Sequence, residues 1–156
     1  MKILVACVAS RAPQWIEAGW AHYSNRLQGR VSLQLKVTKP VSRKLGKTRQ
    51  AMLRLEADRL RSLLPDGGYL VALDEKGLAW TTDTFVSRLQ GWQSSGRQVT
   101  FVIGGPDGLD ESLKHDANEQ MRLSSLTLPH GLVRVLLAEA LYRASSIMSN
   151  HPYHRE

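Results

Sequence analysis

The stretch that decides the fold is VTFVI at residues 99–103, followed directly by GGPDG at residues 104–108. Five consecutive β-branched or aromatic residues predict a strand buried on both faces. The glycines after it allow a sharp backbone turn or the close approach of a ligand to the backbone. Because ligands of open α/β sheets bind at the carboxyl ends of the strands, this junction is the first candidate for a site.

Apolar runs and helical patterns alternate on both sides of this stretch. Short apolar runs at 2–8 and 69–73 predict buried strands, and the alternation at 31–37 predicts a strand near a sheet edge. Helical spacing predicts helices at about 13–27, 53–64, 82–95 and 132–149, with a short one from 111. The sequence therefore predicts one α/β domain over residues 1–156, with a mainly parallel sheet flanked by helices.

Local signals also place the ends of elements around the 69–73 strand. Asp74-Glu75-Lys76-Gly77 is predicted to turn the chain after that strand. Thr82 or Asp83 is predicted to cap the next helix. Leu73 and Asp74 are then expected at the same edge of the sheet as the glycine turn.

Positive charge is concentrated in the first part of the chain. Residues 1–61 hold 13 Lys and Arg against 3 Asp and Glu, whereas residues 62–156 hold 8 against 11. Such an asymmetry is typical of a surface that binds a polyanion, because neutralised phosphates release condensed counterions. A basic but functionally neutral surface is the alternative.

The predicted final helix is apolar around nearly its whole circumference. A helix at the surface of one domain needs only an apolar stripe, so the surplus favours burial against a second subunit and hence a homodimer. Burial within its own domain is the alternative. Glu139 and Arg143 are four residues apart and are expected to form an ion pair along the helix.

Several classes of site lack their usual pattern. The glycines are not followed by the βαβ unit of a dinucleotide site or by the G-K-[ST] of a P-loop. No G-x-S-x-G nucleophile motif occurs, and the five histidines with Cys7 do not form a standard zinc set, so no metal site is predicted. A single cysteine, no apolar stretch long enough to cross a bilayer and no signal peptide predict a cytoplasmic protein without a membrane association.

Four motifs follow one another in the last third of the chain. They are IGGPDGL at 103–109, LTLPH at 126–130, VRV with AEALYRA at 133–144, and NHPYHRE at 150–156. With the opening strand and the Leu73-Asp74 strand end, they resemble the ribosomal RNA large subunit methyltransferase H family, a small bacterial branch of the SPOUT superfamily. The resemblance extends along essentially the whole chain.

The resemblance implies a SPOUT-type α/β fold with a C-terminal trefoil knot, and a homodimer. It implies methyl transfer from S-adenosyl-L-methionine to N3 of a pseudouridine in 23S rRNA, on the assembled 70S ribosome, leaving S-adenosyl-L-homocysteine. The basic part at 1–61 is then expected to serve the RNA, and the part at 69–156 the cofactor and catalysis.

The resemblance also assigns residues by motif. The residues expected to bind the cofactor have small or apolar side chains: Leu73, Gly104, Leu123, Ser124, Ser125, Leu126, Thr127 and Leu128. His154 is the expected general base for the N3 proton, because histidine changes charge near neutral pH. Arg143 is expected to stabilise negative charge on the base or to hold a phosphate, and Tyr153 to orient the base or stack on it.

The basic half supplies the expected phosphate contacts, which are Arg43, Lys44, Lys47 and Arg49. Two other functions stay open at this point. One is a non-catalytic ribosome- or RNA-binding protein that uses the basic half alone. The other is a SPOUT methyltransferase with a different target, such as a tRNA base.

Overall fold

The elements of the protein were assigned on a computed structural model, which describes residues 1–27, 29–43 and 46–155. In chain order they are β1 (Lys2–Val8), α1 (Gln14–Ser24), β2 (Ser32–Thr38), α2 (Arg49–Arg61), β3 (Tyr69–Ala79), α3 (Thr82–Ser95), β4 (Val99–Ile103), α4 (Glu111–Asp116), β5 (Glu119–Arg122), α5 (His130–Met148) and a terminal 3₁₀ helix (Pro152–Arg155).

The strands form one sheet in the order β2-β1-β4-β3-β5, and each neighbouring pair is parallel. This confirms the predicted parallel sheet. β2 lies at an edge with alternating half-buried and exposed side chains, as its period of two predicts. The central β4 is buried along its whole length. The chain moves from β1 to one edge and then crosses to the other side, which leaves a switch point between β1 and β4.

Helices cover both faces of the sheet. Ile3, Val5 and Cys7 of β1 point into a core that contains side chains of α1, α3 and α5. Ala6 and Val8 point to the opposite face, where α2 and α4 pack. Successive side chains of a strand alternate between faces, so β1 must be apolar throughout.

The prediction that the chain turns away after Leu73 is wrong, because β3 continues to Ala79. Leu73 and Leu78 both pair with Met121 of β5, so residues 74–77 form a wide bulge inside the strand. The turn chemistry is nevertheless present, since the backbone N–H of Lys76 donates to Asp74 Oδ1 over 2.8 Å. Pairing with β5, more than forty residues later, returns the chain to the sheet.

The predicted N-cap of α3 is also wrong, by one residue for Thr82 and by two for Asp83. Thr81, rather than Thr82 or Asp83, accepts a hydrogen bond from the backbone N–H of Thr84 over 3.1 Å. The backbone N–H of Thr81 in turn donates to the hydroxyl of Thr84, which completes a capping box. The first helical turn therefore begins with Thr82 and Asp83 already inside it.

Every residue of α5 is buried or half-buried. Leu137, Leu141 and Ala144 lie in the core with the side chains of α1 and α3. The expected Glu139–Arg143 ion pair is present, with Arg143 Nη2 2.6 Å from Glu139 Oε1. No helix in the described residues is long and apolar enough to cross a bilayer.

Candidate active site

The carboxyl edge of the sheet holds a cavity of about 850 Å³, which we call the sheet-edge cavity. Three segments form most of its wall: the end of β3 with its bulge, the glycine turn after β4, and the loop between β5 and α5. This volume lies in the usual range of small-molecule sites. The cavity lies at the carboxyl ends of parallel strands, where ligands of open α/β sheets bind.

The glycine turn can line this cavity only as glycine. A Cβ on Gly104 would lie 2.3 Å from the carbonyl oxygen of Gly108, a distance that no side chain can adopt. Gly108 itself has a φ of +82° and forms a bridge with Gly105. The wall here is consequently backbone rather than side chain.

The bulge of β3 also depends on a glycine. A Cβ on Gly77 would lie 2.6 Å from the backbone N and C atoms of Met121. The bulge therefore crosses directly over β5 with no room for a side chain. This crossing brings Asp74, Glu75 and Lys76 to the cavity.

A half-buried charge cluster occupies one wall. Lys114 Nζ lies 2.8 Å from Asp74 Oδ2 and 2.7 Å from Glu111 Oε1. Burial acts to raise the pKa of Asp74, but the hydrogen bonds from Lys114 and from the N–H of Lys76 lower it below its usual value. Burial acts to lower the pKa of Lys114, but Asp74 and Glu111 raise it. Asp74 and Lys114 are therefore both charged at neutral pH.

The eight residues predicted to bind the cofactor come together at this cavity, with one exception. Ser125 is exposed and does not line it. The other seven do, namely Leu73, Gly104, Leu123, Ser124, Leu126, Thr127 and Leu128. The hydroxyl of Ser124 accepts from the N–H of Leu126 over 2.9 Å, which shapes the loop around the opening. Leu126 itself is 75% exposed.

Sequence reasoning missed Arg122, which also lines the cavity. Its Nε is buried and has no hydrogen-bond partner within the described residues. Such a group needs an acceptor, because an unpaired buried donor costs free energy. In the sequence, Arg122 could be found only from its place at the carboxyl end of β5. The short apolar stretch near 121–124 indicates that strand only weakly.

The three predicted catalytic residues lie together elsewhere, at the far end of α5. Arg143 Cζ lies 4.9 Å from the centre of the Tyr153 ring, and the Tyr153 hydroxyl donates to Glu139 Oε1 over 3.1 Å. Burial and hydrogen bonds with Tyr23 and Glu139 raise the pKa of Tyr153 well above its usual range, so its hydroxyl stays protonated. His154 Nδ1 lies 2.9 Å from the carbonyl oxygen of His151.

This cluster does not reach the sheet-edge cavity of the same chain. His130 at the start of α5 lines the cavity, whereas Arg143 lies thirteen residues further along the helix. At a rise of about 1.5 Å per residue, the separation along the axis is about 20 Å. The cavity and the tail are thus two separate groups of residues within one chain.

Three of the predicted phosphate contacts, Arg43, Lys47 and Arg49, are exposed. Arg43 and Arg49 both pair with Asp107 of the glycine turn, at 2.5 Å and 3.8 Å. Lys47 is exposed. Lys44 lies outside the described residues. No group of three or more His, Cys, Asp or Glu side chains able to hold a metal ion occurs in residues 1–27, 29–43 and 46–155.

Comparison with known proteins decides the family. A family model described as "Predicted SPOUT methyltransferase" matches residues 1–154. A curated relative from Bordetella pertussis, named "Ribosomal RNA large subunit methyltransferase H", is 50% identical over 155 residues, which cover 99% of each chain. The chain belongs to this family. Relatives with the same name from Bordetella petrii and Burkholderia lata are 49% and 48% identical to this SPOUT methyltransferase over the same length.

Solved structures share the fold of this SPOUT methyltransferase at much lower identity. A probable methyltransferase from Bordetella pertussis gives a TM-score of 0.57 at 13% identity, with 92% of this chain and 95% of that chain covered. A probable methylase family protein from Haemophilus influenzae gives a TM-score of 0.57 at 11% identity, covering 97% and 69%. At this identity the likeness concerns the fold, which these structures share with the chain.

Proposed function

We propose that this SPOUT methyltransferase transfers a methyl group from S-adenosyl-L-methionine to N3 of a pseudouridine in 23S rRNA, within the assembled 70S ribosome. The observation that carries the proposal is the full-length similarity to relatives named for methylation of large-subunit ribosomal RNA. Cytoplasmic localisation follows from that substrate.

The sheet-edge cavity is the proposed cofactor site. Its residues fit the cofactor because Gly104 and Gly108 leave bare backbone on one wall, and backbone groups can hold the adenosine without a side-chain acid. The unpartnered Arg122 offers a donor for the cofactor's carboxylate. When bound, S-adenosyl-L-methionine supplies an electrophilic methyl group, so no metal is required by the proposal.

The chain's own residues then have to position the base and remove a proton. Alignment of reacting atoms can account for about 7–11 kcal/mol of a barrier. His154 is proposed to accept the N3 proton as general base. Arg143, placed over Tyr153, would stabilise negative charge on the base, while the protonated Tyr153 hydroxyl holds Glu139 in place.

A homodimer is proposed to join the two groups. About 20 Å of α5 separates the cavity from the tail within one chain, so the tail cannot serve its own cavity without rearrangement of the core helix. Two-fold symmetry would place two α5 helices side by side and bring each tail to the partner's cavity. The half-exposed apolar side chains of α5 favour such burial.

The two parts of the proposed single domain would divide the work. Residues 1–61 carry the excess of Lys and Arg and would bind rRNA phosphates, which fixes position rather than sequence. Residues 69–156 would hold the cofactor and the reacting base. A trefoil knot is expected in this second part.

Calorimetry with S-adenosyl-L-homocysteine and a methylation assay on ribosomes test the proposal. We expect saturable cofactor binding, and methyl incorporation into 70S particles that exceeds incorporation into separate subunits or naked RNA. A non-catalytic RNA-binding protein would bind no cofactor at millimolar concentration. Mass spectrometry of rRNA and tRNA from a deletion strain separates the targets, since an unchanged pseudouridine in 23S rRNA would exclude the proposed substrate.

A further inference from the structure

A second cavity, of about 530 Å³, opens beside the first, at the carboxyl end of β1. We call it the Arg134 pocket. Pro106, Asp107, Pro129 and His130 line both cavities. A ligand in the Arg134 pocket would thus lie next to a ligand in the sheet-edge cavity, as two reactants of one transfer must.

A buried cation lies in the wall of this pocket. Arg134, in the second turn of α5, is only 6% exposed. It forms no ion pair or hydrogen bond with any residue in the described ranges. Burial raises the pKa of the Cys7 thiol while the charge of Arg134 acts against the rise, which places that charge near the end of β1.

The side chain of Arg134 is largely buried, but none of its nitrogens is among the fully buried atoms without a partner, so the guanidinium reaches the open space of the pocket. Arginine carries several N–H donors and no acceptor. The missing partner must therefore be a group that accepts hydrogen bonds. Apolar side chains such as Val8, Val41 and Met52 make up much of the remaining wall. The charged side chains of Arg43, Glu56 and Asp107 also line it, and the two carboxylates disfavour a free anion. A bare phosphate would be poorly accommodated there, whereas a flat ring with carbonyl oxygens suits it.

The mouth of the pocket has the features of a nucleotide site. Trp15 lines it and is 61% exposed, although an indole of this size is usually buried. Arg11 lies beside it, exposed and without an ion pair in the described part of the chain. An exposed aromatic ring stacks on a base of any sequence, and a neighbouring cation binds the phosphate.

We propose that the Arg134 pocket binds a uracil-type base of the RNA substrate, with Arg134 donating to ring carbonyls, Trp15 stacking on the ring and Arg11 holding the adjoining phosphate. This inference rests on the proposed function. It adds a base pocket within the same chain as the cofactor cavity, whereas Arg143, Tyr153 and His154 would approach from the partner.

The donor-only character of Arg134 also gives the pocket a preference. Uracil and pseudouracil carry a carbonyl oxygen on each side of N3, and both oxygens accept hydrogen bonds. Cytosine replaces one of them with an amino group, which is a donor and would face the guanidinium. The Arg134 pocket should consequently bind uridine and pseudouridine nucleotides more tightly than cytidine nucleotides.

The test uses the full chain with ¹⁵N-labelled tryptophan, because the sequence has only four indole N–H groups to resolve. The Trp15 resonance is assigned with Trp15→Phe. Uridine 5′-monophosphate, pseudouridine 5′-monophosphate, cytidine 5′-monophosphate and inorganic phosphate are titrated to millimolar concentration, with and without S-adenosyl-L-homocysteine. We expect the Trp15 signal to move with the first two and much less with the last two.

Arg134→Met keeps the apolar stem and should weaken uridine 5′-monophosphate binding about tenfold or more, in line with loss of a good hydrogen-bonded pair. Arg97→Met is the matched control, because Arg97 lies just before β4 at the opposite edge of the sheet. The affinity of Arg97→Met for uridine 5′-monophosphate should equal that of the unaltered protein. Equal affinity of Arg134→Met and Arg97→Met would overturn the proposal.

Other outcomes are also decisive. If inorganic phosphate moves the Trp15 signal as much as the uridine nucleotide does, or if cytidine 5′-monophosphate binds equally well, the pocket does not select a uracil-type base. If Arg134→Met does not fold, Trp15→Ala decides, since that exposed side chain is not in the core. Its affinity for uridine 5′-monophosphate is measured by calorimetry, because the variant lacks the Trp15 signal, and unchanged affinity would then overturn the proposal. Failure of S-adenosyl-L-homocysteine to bind would refute the methyl transfer and not the nucleotide pocket, because the titrations without it stand alone.

Discussion

At the scale of single residues, the tail is organised around one carboxylate. Glu139 Oε1 receives hydrogen bonds from the Tyr153 hydroxyl and from Arg143 Nε. Arg143 in turn lies over the Tyr153 ring. These contacts fix Tyr153, the residue directly before His154, against α5.

His154→Ala should lower kcat by about 10²–10⁴-fold, the usual contribution of a general base. Cofactor affinity should be largely unchanged, because the residues that line the sheet-edge cavity are unaltered in this variant. Single-turnover methylation of 70S particles and calorimetry measure the two effects separately. Full turnover by His154→Ala would show that another group takes the N3 proton. Arg155→Ala, one residue later and exposed, serves as the control.

Glu56 provides a prediction of pH dependence. Burial and the nearby Asp107 raise its pKa above the ordinary glutamate value of 4.5, although Arg59, Arg43 and a hydrogen bond from the backbone of Val41 oppose the rise. The folded state therefore holds this proton more tightly than the unfolded chain. Its contribution to stability is full below the unfolded pKa and is lost as pH rises through the folded pKa.

Glu56→Gln should keep the hydrogen bond from Val41 and remove the titration. We expect the variant to lose less stability than the parent protein between pH 4.5 and neutrality. Urea unfolding at a series of pH values measures this, with Asp58→Asn on the same helix as the exposed control. Parallel pH profiles of the parent and Glu56→Gln would contradict the assignment.

Residue roles in this site were predictable only in part. The glycine turn and the loop at 123–128 fall at strand ends, where the parallel-sheet rule places a ligand, and the motifs assign them a cofactor. Arg134 and Arg122 were not found, because a lone arginine in an apolar helix or strand has no pattern that distinguishes it from a snorkelling surface residue. Only the absence of a partner in three dimensions distinguishes them.

At the scale of elements, the bulge of β3 shapes the site. Leu73 and Leu78 share one partner in β5, and the four residues between them reach the cavity. The sequence pattern at 74–77 predicts a turn and is right about the local hydrogen bond. The prediction that the chain turns away after Leu73 is wrong, because pairing with β5 is a contact between distant parts of the chain, which local patterns do not report.

Gly77→Ala should destabilise the protein by about 1–3 kcal/mol, the usual cost of overpacking. Its Cβ would meet Met121 backbone at 2.6 Å, and the neighbouring strand cannot move without losing its own pairing. Chemical unfolding measures the change. Gly91→Ala in α3 is the control, because nothing lies within 4 Å of its added Cβ and alanine favours a helix. Equal stability of the two variants would refute the close crossing.

At the scale of the whole molecule, one chain holds a cavity at one end of α5 and a tail at the other. The proposed dimer predicts complementation between two inactive variants. Gly104→Ala should disable the cavity, since its Cβ has no room beside Gly108, and His154→Ala disables the tail. A mixed dimer would contain one site with both parts intact.

Mixing the two variants in equal amounts should therefore restore roughly a quarter of the parent activity, because half of the dimers are mixed and each has one complete site. Methylation of 70S particles by tagged, co-expressed variants measures it. Each variant alone is the inactive control. If the mixture stays as inactive as its components, the tail does not serve a partner's cavity.

The order of elements along the chain has a consequence for synthesis. The last quarter of the sequence contains β5, the loop at 123–128, α5 and the terminal helix. β5 must pair with the bulged strand β3 before the cavity exists. Chains made from the N-terminus first cannot close this cavity until translation is almost finished. We therefore expect the nascent protein to contain its basic part, residues 1–61, well before the sheet-edge cavity can form, so that a chain stalled near its end would carry the basic residues without the cavity.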